Sequence, residues 1–303
     1  MMSKKFIVIL SLYDILSHDQ LTYCPANISN GTLTECTNYL DADAPINQPR
    51  GIAMNPAGTY MYIVSLGDTS ITKCQRDTSS NAISNCTNAS SGVTFTYPLG
   101  ITLNPAGTKA YITDTSNTVT KCDVNTTSMN LENCVVTISS SLGLLNQPTD
   151  IKLNSGNTRA YVSNFIGETI TQCDVDGSDG SLTSCTNFTV PNPDGSQFNG
   201  LTLNPSNDKL FITDFNLSRV YECILSGGAI QSCSYESEGT NIDLRSAGIA
   251  INAANTYTYI MDTESLTSTY AICSLDSFGD LAKCSNPGLP PAETWGITWA
   301  PSP

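Results

Sequence analysis

Hydrophobic and polar residues alternate along much of this chain in short runs. In "ITLN" (101–104), Ile101 and Leu103 face one way while Thr102 and Asn104 face the other, the period-two pattern of a strand. "NPAGT" follows, a turn in which proline fixes φ and glycine takes positive φ at little cost. "KAYIT" is rich in β-branched and aromatic residues and reads as a second strand. The polar loop "DTSN" leads to a third strand, "TVTKC"; "DVNTTSMN" then turns the chain into a fourth, beginning at "LENC". No segment shows a sustained helical period.

The unit recurs. "GIAMNPAGTYMYIVS" starts at Gly51, "GITLNPAGTKAYITD" at Gly100, "DIKLNSGNTRAYVSN" at Asp150, "GLTLNPSNDKLFITD" at Gly200 and "GIAINAANTYTYIMD" at Gly248, and "GITWAP" at Gly296 opens a further copy. The slot of Gly58 and Gly107 is filled elsewhere by Asn157, Asn207 and Asn255, so it is a demand for left-handed backbone. Four short antiparallel strands per unit of about 50 residues is the pattern of a β-propeller blade, which buries its faces only by packing on neighbours. Glycine at the start of the first strand suits crowding near the axis, and Asp150 in its place would mark a local widening.

Five copies are full. The sixth is expected from both chain ends, with "VILSLYD" (8–14) as a second strand and "LTYC" and "LTECTN" as the third and fourth. Such closure hides open sheet edges. The expected fold is a single all-β, six-bladed β-propeller over 1–303, with a split blade (1–47 plus 293–303) and blades near 48–97, 98–147, 148–197, 198–245 and 246–292. "MMSKKFIVILSLYDILSHDQ" has a basic start and an apolar run, as a secretion signal would. Asp14 interrupts the run and no small-x-small site follows, so a strand and a signal-like segment both remain open.

Composition narrows the function. Asp and Glu number 27 against 13 Lys and Arg, a formal net charge of -14, which disfavours nucleic acid and anionic lipid. No apolar stretch reaches membrane-spanning length. The lone histidine, His18, argues against His-based acid–base chemistry and multi-His metal sites.

The 12 cysteines fall as pairs 24/36, 74/86, 122/134, 173/185, 223/233 and 273/284, each on the third and fourth strands of one blade. In "TKC" and "ENC" both cysteines have the same strand parity, and cross-strand neighbours come within disulfide range. The leading reading is six disulfides within blades, at Cys24, Cys36, Cys74, Cys86, Cys122, Cys134, Cys173, Cys185, Cys223, Cys233, Cys273 and Cys284. Reduced structural cysteines and a metal site are the alternatives, the latter lacking ligand-like spacing. Disulfides would imply an extracellular, cell-surface or periplasmic location.

"AYITD", "AYVSN", "LFITD" and "MYIVS", each preceded by variants of "GIxxNPxGT", resemble the Y-V-T-N signature of YVTN-type propeller repeats, related to the NHL type. The resemblance extends by repetition over nearly the whole chain. The paired cysteines are not part of the general signature and look like a subgroup feature. The family likeness implies extracellular surface proteins, ligand-binding modules or lactonase-like enzymes. Gluconolactonase-like members hold a central metal with carboxylates and Asn, a set that does not map cleanly here. Streptogramin-lyase-like members use a catalytic His, and His18 has no matching context.

Two rings of positions are expected around the channel mouth. One comprises Arg50, Leu99, Thr149, Asn199, Ala247 and Trp295, just before the first-strand glycine or Asp150. The other, at the ends of second strands, comprises Ser11, Ser65, Asp114, Asn164, Asp214 and Asp262. Turn chemistry alone also explains the Asp and Asn residues. From these rings Arg50, Asp114, Asn164, Asn199, Asp214, Asp262 and Trp295 form the candidate ligand site, with no catalytic residue, metal or cofactor assigned. "DVDGSDGS" (174–181) fails calcium-loop spacing and reads as a polar turn. Sequons at Asn27, Asn125 and Asn187 matter only in a eukaryotic secretory host. The leading expectation is a secreted or surface-exposed binding module for a protein or glycan, of unknown oligomeric state. A metal-dependent lactonase-like hydrolase using Asp114, Asp214 and Asp262 is the rival, and a purely structural repeat domain the third reading.

Overall fold

The structure is a computed structural model describing residues 5–11, 20–27, 29–34, 36–39, 46–90, 92–191, 195–235, 246–262, 270–285 and 294–300. After β1 (Lys5–Ser11), β2 (Gln20–Ala26) and β3 (Thr37–Tyr39), the chain repeats groups of four strands. The first blade is β4 (Pro49–Met54), β5 (Tyr60–Ser65), β6 (Ser70–Arg76) and β7 (Ile83–Asn88). The second is β8 (Pro98–Leu103), β9 (Lys109–Asp114), β10 (Thr118–Val124) and β11 (Leu131–Ile138). The third is β12 (Pro148–Leu153), β13 (Arg159–Asn164), β14 (Thr169–Val175) and β15 (Leu182–Thr189). The fourth is β16 (Phe198–Leu203), β17 (Lys209–Asp214), β18 (Arg219–Ser226) and β19 (Ala229–Tyr235). The fifth is β20 (Ser246–Ile251), β21 (Tyr257–Asp262), β22 (Tyr270–Leu275) and β23 (Leu281–Ser285), and β24 (Thr294–Ala300) ends the chain.

The count of six blades is corrected to five that are each complete in one stretch of chain. A further sheet, ordered β24-β1-β2-β3, joins the two ends of the chain. It carries no copy of the NPAGT turn, because its first two strands come from opposite termini, and its outer strand is three residues long. The first strands β4, β8, β12, β16 and β20 neighbour one another in turn, and β24 packs on both β20 and β4.

The repeated residues hold this ring together. In every complete blade the Asn of the NPAGT turn closes it: Asn104 Oδ1 accepts the Thr108 and Lys109 N–H groups at 2.8 and 3.0 Å, and Asn55, Asn154, Asn204 and Asn252 do the same. The second-strand tyrosine reaches the next hairpin turn. Tyr62, Tyr111 and Tyr161 donate to the Met129, Gly180 and Gly228 carbonyls, at 3.0, 2.7 and 2.7 Å. Tyr259 donates to Gly31 O at 2.8 Å. The fourth blade has Phe211 there; at that seam Lys209 pairs with Glu222 at 2.7 Å and with Asp280 of the next blade's turn.

Two residues further along, Thr113 and Thr213 accept from the Gly100 and Gly200 N–H and donate to the Thr149 and Ala247 carbonyls of the next inner strand. The glycines are steric necessities: a Cβ on Gly200 would lie 2.2 Å from Ala247 O, and one on Gly100 2.5 Å from Thr149 O. Apolar faces between blades are sealed by residues such as Ile112, Val162 and Ile212, all fully buried.

All six cysteine pairs are disulfides, with Cα–Cα distances from 3.9 to 4.2 Å. In three blades the register slips at the bridge, and the residue before the second cysteine (Asn85, Asn133, Ser184) has positive φ. Cys223 and Cys273 instead sit directly opposite Cys233 and Cys284. In the first three complete blades the β-bulge thus falls at the bridge itself, whereas in the fourth and fifth it lies one step further on, after Ile224 and Ser274.

Candidate functional site

The innermost strands carry a second recurrent irregularity. In each complete blade the pairing of first and second strand slips by one residue, between Pro49 and Ile52, Pro98 and Ile101, Pro148 and Ile151, Phe198 and Leu201, and Ser246 and Ile249. A bulge re-aims a side chain out of the pleat. The residues within it are Arg50, Leu99, Thr149, Asn199 and Ala247, and all five line one axial cavity of about 220 Å³. Trp295 occupies the matching place in β24, but its side chain lies outside the described residues.

Asp150, the exception to the glycine rule, also lines the cavity. Its Oδ2 accepts the Leu201 N–H at 2.9 Å, so the carboxylate bridges two inner strands where other seams need glycine. Both its oxygens lie 2.7 Å from Lys152 Nζ. Lys152 stands where the other blades have Ala53, Thr102, Thr202 and Ala250, and it lines both the mouth cavity and a second cavity of about 350 Å³ on the far side. The ion pair thus sits at the waist of the axial channel. Phe165 joins the lining from the β13–β14 turn and packs on Phe215 of the next blade, ring centroids 5.8 Å apart.

The second ring of candidates behaves differently. Asp114 Oδ2 accepts the Thr96 and Tyr97 N–H groups at 2.8 and 3.2 Å, and its Oδ1 that of Ser116 at 2.8 Å. Asn164 accepts from Asn146 N and donates to Thr169 and Thr171. Asp214 Oδ1 takes the Gln197, Asn216 and Leu217 N–H groups. All three side chains are buried and none lines the axial cavity. They tie the loop entering each blade to the turn leaving its second strand. Asp262 ends β21, with its side chain outside the described residues, as is that of Ser11; Ser65 is fully buried. His18 also falls outside them.

The described donors do not gather into a lactonase-type metal centre. Asp114 gives both carboxylate oxygens to backbone amides and Asp214 gives Oδ1, its Oδ2 being buried without a hydrogen-bond partner; among the described residues no three His, Cys, Asp or Glu side chains converge. The Asp176 and Asp179 carboxylates of "DVDGSDGS" accept from Ser178 and Ser181, as a polar turn does.

Lys152, Phe165 and Gln147, which also line the cavity, escaped the sequence reading. The signal was there for two of them. Lys152 is a charged residue in a column of Ala and Thr, and Phe165 and Phe215 replace Leu66, Thr115 and Thr263.

Comparison with solved structures supports the β-propeller. The chain is similar to a propeller in a crystal structure of a nidogen/laminin complex, at 16% identity over 99% of both chains, with TM-score 0.71. A putative 6-phosphogluconolactonase from Bacteroides uniformis is similar at 11% identity over 98% of this chain and 99% of that one, TM-score 0.71. The periplasmic gluconolactonase of Pseudomonas aeruginosa follows at 11% over 99% and 100%, TM-score 0.69. At such identities the likeness is one of fold. No family model matches the chain, and no curated protein matches it in sequence.

Proposed function

We propose that the protein is a secreted or surface-exposed binding module that recognises a protein or glycan through the channel-mouth face of its propeller. The observation that carries this reading is a division of labour among the repeated positions. Tyr, Thr, Asn and the corner Asp residues are consumed in holding blades together. The bulged positions of the inner strands are chemically unlike from blade to blade and converge on one cavity, as a specific site on a repeated scaffold requires. Six disulfides suit an oxidising compartment.

The test is a binding screen with purified protein against a glycan array and a panel of extracellular-matrix proteins. Arg50→Ala and Asn199→Ala should fold normally and lose the ligand found. Ala57→Ser and Ala106→Ser, in exposed turns at the opposite end of the strands, should keep it. Loss from the second pair with retention by the first would place the site on the other face. One tightly held divalent ion per chain together with lactone hydrolysis would replace the reading with an enzymatic one.

A further inference from the structure

Three of the large apolar side chains left exposed share one end of the propeller. Tyr97, Leu142 and Ile166 are 53%, 59% and 44% exposed. They stand in the β7–β8 loop, the β11–β12 loop and the β13–β14 turn, all at the channel-mouth end. Phe165, beside Ile166, lines the axial cavity and packs on Phe215 of the β17–β18 turn.

Hydrogen bonds tie these segments into one surface. Thr115 N donates to Tyr97 O at 3.1 Å, and Asn117 Oδ1 accepts the Gln147 N–H of the next blade at 2.7 Å. The Phe165 and Ile166 N–H groups donate to the Gln147 and Asn146 carbonyls at 3.0 and 3.2 Å. Glu168 Oε1 accepts the Gly195 N–H at 2.8 Å, and Asn216 Nδ2 donates to Gly195 O at 3.0 Å. A face held in this way loses little freedom when a partner covers it.

The face also lacks charge. Among the described residues of 89–97, 115–117, 139–147, 165–168, 195–197 and 215–218, Glu168 is the one charged side chain. At the opposite end, the β6–β7, β14–β15 and β22–β23 turns carry Asp77, Asp176, Asp179 and Asp276, all exposed, in a chain of net charge -14. The mouth end can be covered without stranding ions in an interface, whose buried centre is ordinarily poor in charge and rich in aromatic residues.

We propose that this face, from Tyr97 through Leu142 and Ile166 to Phe215, docks a protein partner that presents an uncharged, apolar segment. This rests on the channel-mouth reading above and chooses between its two ligand classes. The Leu142 and Ile166 side chains offer a sugar neither a hydrogen-bond partner nor a flat ring to stack on. An apolar protein side chain gains by displacing water from them. Phe278 is the contrast: it is 79% exposed, but it stands in a turn between Asp276 and Asp280, where covering it would also cover carboxylates.

The experiment selects a phage-displayed random peptide library against the full, oxidised chain and runs a glycan array on the same protein. The enriched peptides should be apolar and aromatic without net charge. A synthetic copy of one should protect the amides of 139–147 and 165–168 from hydrogen exchange. Leu142→Ser and Ile166→Ser, at unchanged melting temperature, should each weaken that peptide by about tenfold or more, as loss of one covered apolar side chain implies. Phe278→Ser should leave it unchanged. Enrichment of charged peptides, protection elsewhere on the chain, or no enrichment overturns the proposal. So does a glycan whose binding falls with Leu142→Ser and Ile166→Ser, which reassigns the face to carbohydrate. The exchange footprint is read on the unmodified protein, so it stands even if a variant misfolds. A ligand that needs Asn199 and is indifferent to Leu142→Ser and Ile166→Ser leaves the channel-mouth reading in place and removes this one.

Discussion

Tyr111→Phe isolates one blade-to-blade latch. The Tyr111 side chain is fully buried, and its hydroxyl donates to Gly180 O at 2.7 Å across the seam between the second and third blades. The substitution keeps the ring and deletes one oxygen. It loses a hydrogen bond worth about 1 kcal/mol and leaves the Gly180 carbonyl without that donor, for a total of roughly 1–3 kcal/mol. Gly180 has φ +79, and a Cβ there would lie 2.8 Å from the Tyr111 hydroxyl, so the turn is built tightly around this contact and has little room to relax. At about 2–4 °C per kcal/mol for a large domain, the melting midpoint should fall by several degrees. Differential scanning calorimetry and urea titration, both with the disulfides intact, measure it. In the fourth blade, where Phe211 lacks the hydroxyl, the Lys209–Glu222–Asp280 cluster supplies a polar link at that seam. A Tyr111→Phe variant within 0.5 kcal/mol of the parent, the ordinary scatter of surface changes, would refute the latch.

The same tyrosines predict alkaline lability. Burial pushes the phenols of Tyr62, Tyr111 and Tyr161 up to about 12, with neighbouring Tyr60 and Asp179 adding to the shift at the first two. A raised folded-state pKa holds the proton more tightly than the unfolded chain does, so stability is intact below pH ~10 and is lost as pH rises from there through 12. Short-exposure urea titrations across that window should show it, and a flat profile would contradict the burial. Gly200→Ala should destabilise by several kcal/mol or prevent folding, since its Cβ meets a backbone carbonyl at 2.2 Å; normal secretion and melting would count against the crowded axis. Asp214→Ala should cost about 2–4 kcal/mol by stripping three backbone amides of their acceptor, with ligand affinity kept at temperatures where the variant is folded. Thiol titration of the denatured, unreduced protein should find none free; about twelve would remove the disulfides.

The blade was legible because its rules are local. Alternation, the Gly or Asn slot of the NPAGT turn and the parity of "TKC" with "ENC" all act within a few residues, and Cys122–Cys134 follows from them. The bulged ring was legible too, because a repeat aligns Arg50 with Leu99, Thr149, Asn199 and Ala247 without any knowledge of distance. Asp114, Asn164 and Asp214 stand in an equally regular column. Whether such a side chain faces the axis or turns back onto its own loop depends on which backbone amides arrive beside it, and those come from 17 or 18 residues away. That geometry has no periodic signature. The role of Lys152 was hidden for a related reason: its partner Asp150 lies two positions back, on the same face of the strand, and the pair matters only once the inner strands are drawn round one axis.

Repeated and unrepeated positions carry different structural burdens. A residue that recurs from blade to blade, such as the Tyr111 hydroxyl or the Asn104 amide, has its hydrogen-bonding capacity used within the fold, and changing it loosens a blade. A residue that occurs once at its column, such as Lys152 among alanines and threonines, serves no repeating structural need. Drawing a half-buried charge to the waist of a channel costs some desolvation that its partner only partly offsets, and small neutral residues at the same column show that the ring closes without it. Replacing Asp150 and Lys152 together, by glycine and threonine, restores the sequence found at the second blade's Gly100 and Thr102. The double variant should therefore fold with stability equal to or above that of the parent, and should lose whatever ligand a binding screen assigns to the axial cavity. Marked destabilisation would assign the pair to the scaffold.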